Sequence, residues 1–393
     1  MATVATPIAK RRDWRAIAFR AVAALSAPLF LVLQPGLLAL LEPWVLVAPD
    51  APGYTAAIHR MHEAHWATIM VFGYGLGLLA LAWRPRALPG LAQFVLLVTL
   101  IEFTSSVLVG QADLFSIIYL AIFVAAYPAP RDLLHFSPVG PPSAPLLGLS
   151  LLTTALLAPD AWRSLHLQLA GLGGEHATQN HWMLTTNLEL ILVMGSLFVA
   201  AKRPGWRVLG LLVGLALVYL GLASISAPQF DGSWGTLGGA LATLGGWGFV
   251  GATLWEARRP TATVAQRGWL PYMLIASAVC LSTLLFAAPW SGAAAGDAAP
   301  AGTTVLVAQD FQFDQIELHV KAGAPVALQL DNRDGSIHQF DLDEFNVHIP
   351  MPAGQHIVAQ FTPTQPGAYT FYCVLHVDRA TKHGMAGTLV VTP

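Results

Sequence analysis

The chain has 393 residues, 55% of them hydrophobic and only 11% charged, with a formal net charge of -2. Soluble domains carry about 25% charged residues, so this composition excludes a soluble globular protein and implies a polytopic chain embedded in a lipid bilayer. The small net charge gives nucleic acid no foothold as a partner, and two cysteines, Cys280 in an apolar run and Cys373 near the end, exclude a disulfide framework.

Crossing about 30 Å of hydrocarbon takes roughly 17 to 25 apolar residues in a helix. Segments of that kind fall at 17–41, 65–83, 88–110, 111–128, 144–159, 181–201, 206–226, 234–256 and 268–290, which predicts nine helices within a membrane domain spanning 1–290. The fourth carries Asp113 and the fifth is short. The first follows a basic stretch, but it is longer than a signal-peptide core and lacks a small-x-small cleavage site. It reads as a retained helix bent by Pro28 and Pro35.

Lys and Arg collect on the cytoplasmic side of membrane proteins. With a cytoplasmic N-terminus, the inner segments carry Lys10, Arg11, Arg12, Arg15, Arg84, Arg86, Arg131, Lys202, Arg203, Arg207, Arg258, Arg259 and Arg267. The outer ones carry only Arg60 and Arg163. That asymmetry supports the orientation, and nine crossings place the C-terminal part outside, in the periplasm or the extracellular space.

The segments HRMHEAHW and EHATQNHW open the second and sixth helices, and each helix is followed by a basic, Pro-containing inner turn and another apolar helix. This suggests two parallel four-helix units, helices two to five and six to nine, related by an axis along the membrane normal. His65 and His181 would then face each other at the outer surface. His59, His62 and His65 recur at spacings of three, and His166, His176 and His181 lie on the next large outer segment. Glu102 and Glu189 are costly groups in hydrocarbon. By residue count both lie on the order of 10 to 12 Å deep, a depth at which they could share one site. His59, His62, His65, His181, Glu102 and Glu189 therefore form a candidate membrane metal or proton site, with a pair of structural carboxyls as the alternative for the two glutamates.

A Gly/Ala-rich stretch, SGAAAGDAAPAG at 291–302, reads as a flexible linker. From 303 to 393 the pattern changes to short alternating segments, TVLVAQ, QIELHV, PVALQL, HIVAQF, AYTFYC and GTLVV, divided by turn residues. Period-two alternation at that spacing predicts an all-β antiparallel sandwich. His338, Cys373, His376 and Met385 follow one another in this part. A thiolate, two imidazoles and a weak axial thioether form the donor set of a copper site serving both Cu(I) and Cu(II).

NRDGSIHQF at 332–340, AYTFYCVLH at 368–376 and HGMAGTLVV at 383–391 resemble the copper-binding segments of the cupredoxins, plastocyanin-like blue copper proteins. The resemblance covers the C-terminal domain and implies a Greek-key β-sandwich holding one copper through His338, Cys373, His376 and Met385. One departure stands out: eight residues separate His376 from Met385, where plastocyanin-like loops usually have four. His383 is therefore an alternative second imidazole. A two-copper centre would need a second Cys in the loop, and multicopper oxidase chemistry would need His-x-His pairs, and neither is present. His319, His348 and His356 are expected on strands or surface loops.

Three functions fit. The first is a membrane-tethered carrier passing single electrons between the copper domain and a redox partner protein on the outer side. The second is copper uptake or delivery, with metal passing between the domain, a copper donor or acceptor, and the His/Glu site in the bundle. The third is that the bundle holds haem, with His65 and His181 as axial ligands, or that it works as a subunit of a larger membrane oxidoreductase.

Overall fold

A computed structural model describes residues 13–46, 59–111, 113–172, 175–228, 230–259, 304–334, 337–351, 354–377 and 384–393. Helix α1 (Trp14–Pro28) is capped by Asp13, whose carboxylate accepts the Ala16 N–H. It passes at Pro28 into a π-helical turn, Leu29–Leu33, and Pro35 separates that turn from the short α2 (Gly36–Ala39). Helices α3 (Arg60–Thr68) and α4 (Leu76–Trp83) form one span through a second π-helical stretch, Ile69–Gly75. Phe30 stacks on Tyr74 at 4.3 Å, so the two irregular turns pack face to face.

The bundle continues with α5 (Pro89–Leu108), α6 (Leu114–Ala126), α7 (Ala144–Ala170), α8 (Glu175–Thr178), α9 (His181–Ala200), α10 (Trp206–Ser226) and α11 (Gly235–Arg258). Among the described residues seven helices are long and apolar enough to cross a membrane, and α6 is a shorter apolar helix. Two expectations change in detail. Asp113 lies at the N-cap of α6, accepting the N–H groups of Phe115 and Ser116, so its charge sits at the helix end. Helix α7 runs on through Pro159 for 27 residues, which puts Arg163 and His166 on a helix rather than a loop. The ninth segment at 268–290, with Cys280, and the linker at 291–302 lie outside the described residues.

Burial orders the bundle. Helix α9 is 78% buried and α10 67%, whereas α7 is 33% and α11 28% buried, so α9 and α10 are central and the others present apolar faces outward. Helices α10 and α11 approach closely through small residues: a Cβ on Gly246 would fall 2.6 Å from the Gly214 carbonyl oxygen. The basic residues gather at one end. Lys202 pairs with Glu256 at 2.7 Å, Arg203 stacks on Phe136, and Arg86 pairs with Asp13. His59, α8 and the start of α9 lie at the other end.

Among the described residues the C-terminal part has nine strands: β1 (Thr304–Gln309), β2 (Gln312–Phe313), β3 (Glu317–Lys321), β4 (Val326–Asn332), β5 (His338–Leu342), β6 (Val347–Met351), β7 (His356–Phe361), β8 (Gly367–Val377) and β9 (Gly384–Thr392). They form two sheets, in the orders β2-β1-β4-β7 and β3-β9-β8-β5-β6. Leu306, Leu328, Leu330, Phe340, Phe371 and Leu389 fill the space between them. The sandwich is not purely antiparallel. Strands β1 and β4, and strands β3 and β9, pair in parallel, each pair joined by a connection longer than a hairpin turn.

Candidate metal centre

Strand β8 carries the centre. Its pairing with β9 runs in register to Tyr372 and Ala386, then slips, so that Val377 pairs with Gly384. The irregularity releases Cys373 to His376 from the ladder and turns them towards one end of the sandwich. Gly384 permits this, with φ at +129°, and a Cβ there would lie 2.6 Å from the His376 carbonyl oxygen. His338 enters from the start of β5.

The donor atoms converge in a buried pocket. His338 Nδ1 and His376 Nδ1 are 2.9 Å apart, and Cys373 Sγ is 3.3 Å from His376 Nδ1. His338 and Cys373 are fully buried and His376 is 2% exposed. A metal about 2 Å from each nitrogen separates its ligand nitrogens by about 3 to 3.5 Å, so this spacing fits one ion. The Gln339 N–H points at Cys373 Sγ over 3.3 Å, as a thiolate ligand requires. Met385 is buried in the same core cluster as Cys373. His383 lies outside the described residues.

Carboxylates hold the far side of both imidazoles. Asp334 Oδ2 is 2.7 Å from His338 Nε2, and the same carboxylate accepts the N–H groups of Asp310 and Phe311. Burial raises the Asp334 pKa, but His338 and the two N–H donors outweigh it and hold the group below the usual carboxylate value. Burial likewise depresses His338, while the hydrogen bond to Asp334 and the contact with Cys373 raise it above the usual imidazole value. Asp231 Oδ2, from the connection between α10 and α11, is 3.2 Å from His376 Nε2 and 2.9 Å from His176 Nε2. Burial pushes Asp231 up, yet the two histidines together hold it well below the carboxylate range.

The β-domain thus sits against the histidine-bearing end of the bundle. Phe311 is wedged there, with its ring 5.0 Å from Trp182, 4.8 Å from His376 and 5.4 Å from His338. Asp310 and Phe311 both adopt positive φ, 51° and 58°, a strained turn that the Asp334 carboxylate holds.

The histidines of the bundle cluster at this end. His59 lies 4.6 Å from His176 and 4.3 Å from His181, ring to ring, and His62 stacks on His181 at 4.9 Å. Thr185 Oγ1 is 3.1 Å from His65 Nδ1 and 3.2 Å from His62 Nδ1. The two glutamates do not share a site. Glu102 Oε1 accepts from Asn187 Nδ2 at 3.2 Å, whereas Glu189 Oε1 accepts from Trp234 Nε1 at 2.9 Å. A haem between His65 and His181 does not fit either, because the His62 ring packs against both. His319 pairs with Glu317, His348 pairs with Asp341, and His356 is an exposed residue of β7.

The sequence reading did not single out Asp231, Asp334, Gln339 or Phe311. Asp334, four residues before His338, was within reach of it, since a ligating imidazole needs an acceptor for its second nitrogen.

The family of cupredoxin-like domains matches residues 278–391. Solved structures similar to this part include auracyanin A, a "blue" copper protein of Chloroflexus aurantiacus, at 18% identity, covering 23% of this chain and 98% of that one with a TM-score of 0.20. An auracyanin of Roseiflexus castenholzii is 16% identical, covering 24% of this chain and 100% of its own, with a TM-score of 0.20. Amicyanin of Paracoccus versutus is 19% identical, covering 24% and 85%, with a TM-score of 0.19. No curated protein matches the chain.

Proposed function

We propose, from the premise that the C-terminal domain is cupredoxin-like, that the chain is a membrane-integral protein whose outer domain holds one copper ion and transfers single electrons. The observation that carries this reading is the convergence of His338 Nδ1, His376 Nδ1 and Cys373 Sγ in one buried pocket, with Met385 beside them as the axial thioether. Bound copper supplies a one-electron Cu(II)/Cu(I) couple, for which this donor set suits both states. The chain does the rest. Asp334 and Asp231 fix the two imidazoles, the two sheets hold Cys373 and His338 rigidly, and Phe311 keeps water away.

The His376 edge of the domain faces the chain's own bundle, so the bundle lies on the route by which the centre meets its redox partner. Copper delivery is the second reading, favoured by the histidines immediately beyond Asp231. An absorption spectrum of copper-loaded, full-length protein tests the main reading. A thiolate-to-copper charge-transfer band is expected, and Cys373→Ser should abolish it entirely. A spectrum without the band in the unaltered chain sinks the proposal. Delivery is separated from electron transfer by copper accumulation in cells expressing His181→Ala, which delivery requires to fall.

A further inference from the structure

His59 borders α3, His176 lies on α8 and His181 opens α9, so three separate elements deliver imidazoles to one point. His59 and His176 are fully buried and His181 is 9% exposed. One nitrogen from each ring lies within 4.8 Å of the others. A common metal about 2 Å from each nitrogen would set that spacing at roughly 3.4 Å.

His176 shows how such a site is prepared. Its Nε2 is 2.9 Å from Asp231 Oδ2, and its Nδ1 is buried with no hydrogen-bond partner. A proton on Nε2, beside the carboxylate at this distance, leaves the Nδ1 lone pair free, which is how a carboxylate prepares a ligating histidine. His376 is arranged in the same way about the same oxygen, with Nε2 towards Asp231 and Nδ1 towards Cys373. A cleft of about 380 Å³, lined by His62, Glu102, His181 and Asn187 among others, reaches the cluster and offers a path of entry.

From this we infer that His59, His176 and His181 form a second metal site, taking a copper ion, and that Asp231 is the shared positioning residue between it and the Cys373 centre. Imidazoles without thiolate suit copper or zinc, and among divalent first-row ions copper binds such donors most tightly. The site needs no electron transfer at Cys373, so the two ideas fail separately.

Full-length protein in detergent, loaded with Cu(II) and freed of excess, should retain two copper ions per chain by elemental analysis. His59→Ala and His181→Ala should each reduce this to one while keeping the Cys373 absorption band, which also reports that the variant is folded. If either variant loses the band, His59→Gln or His181→Gln takes its place. Cys373→Ser should keep one copper, without the band and with the electron-spin signal of nitrogen-bound Cu(II). Asp231→Asn should weaken copper binding at both sites by about tenfold or more. One copper in the unaltered chain overturns the inference, as do two coppers in the His59 and His181 variants. Loading with equal Cu(II) and Zn(II) that leaves one of each overturns the copper assignment, and an Asp231→Asn effect at one site only overturns the sharing.

Discussion

Asp334 serves three donors at once, the buried Phe311 N–H and His338 ring and the part-buried N–H of Asp310. Replacing it by Ala strands them all, and a buried unsatisfied donor costs about 1 to 3 kcal/mol. Asp334→Ala should therefore destabilise the β-domain by about 3 kcal/mol, read from denaturant unfolding of the full-length protein by near-ultraviolet circular dichroism. Asp334→Asn keeps an oxygen acceptor and should lose less. At this scale the sequence spoke through chemistry: His338, Cys373, His376 and Met385 stand out because few functions need those donors in that order. Asp231 did not stand out, since it meets His376 across 145 residues of chain, and no local pattern records such a contact.

Among elements, the slip between β8 and β9 aims the ligands and Gly384 permits it. Gly384→Ala places a side chain at φ +129° against the His376 carbonyl, costing about 2 kcal/mol or more. The expected result is a lower melting temperature together with a shifted Cys373 copper band. An unchanged band would mean that the loop does not set the ligand geometry. Strand positions were legible because alternation has a period of two, as ELHVK at β3 illustrates. The parallel pairings were not, since they depend on which strands meet. Glu102 and Glu189 teach the same lesson in helices. Depth follows from counting residues, but direction does not: Asn187 and Glu189 are two positions apart, about 200° around α9, so Glu102 and Trp234 approach from opposite sides.

For the whole molecule, Phe311 is the main apolar link between the sandwich and the bundle, clustered with Leu167, Ala177 and Trp182. Truncating a buried Phe costs about 3 to 5 kcal/mol. Phe311→Ala should loosen the docking, raising hydrogen exchange across 175–182 at least tenfold while leaving the β8–β9 ladder protected. The proposed orientation predicts that a cysteine at the exposed Gln365 of Gln365→Cys reacts with a membrane-impermeant maleimide on intact cells. One at Arg86, from Arg86→Cys, should stay unlabelled until the membrane is opened. Equal labelling of the two would contradict this orientation. The basic ends were readable from Arg and Lys alone, but the docking was not, because it rests on Phe311 in a turn and on the long-range contact between His376 and Asp231.

The contact between His376 and Asp231 joins two parts of one polypeptide. A carrier that meets its partner by diffusion depends on concentration and on long-range steering, both of which weaken with dilution or salt. Here the two parts meet within one chain. Being buried, their contact is screened little by added ions. Communication across this junction should therefore be first order: unchanged by a hundredfold dilution, indifferent to moderate salt, and limited only by how often the domain lifts from its seat.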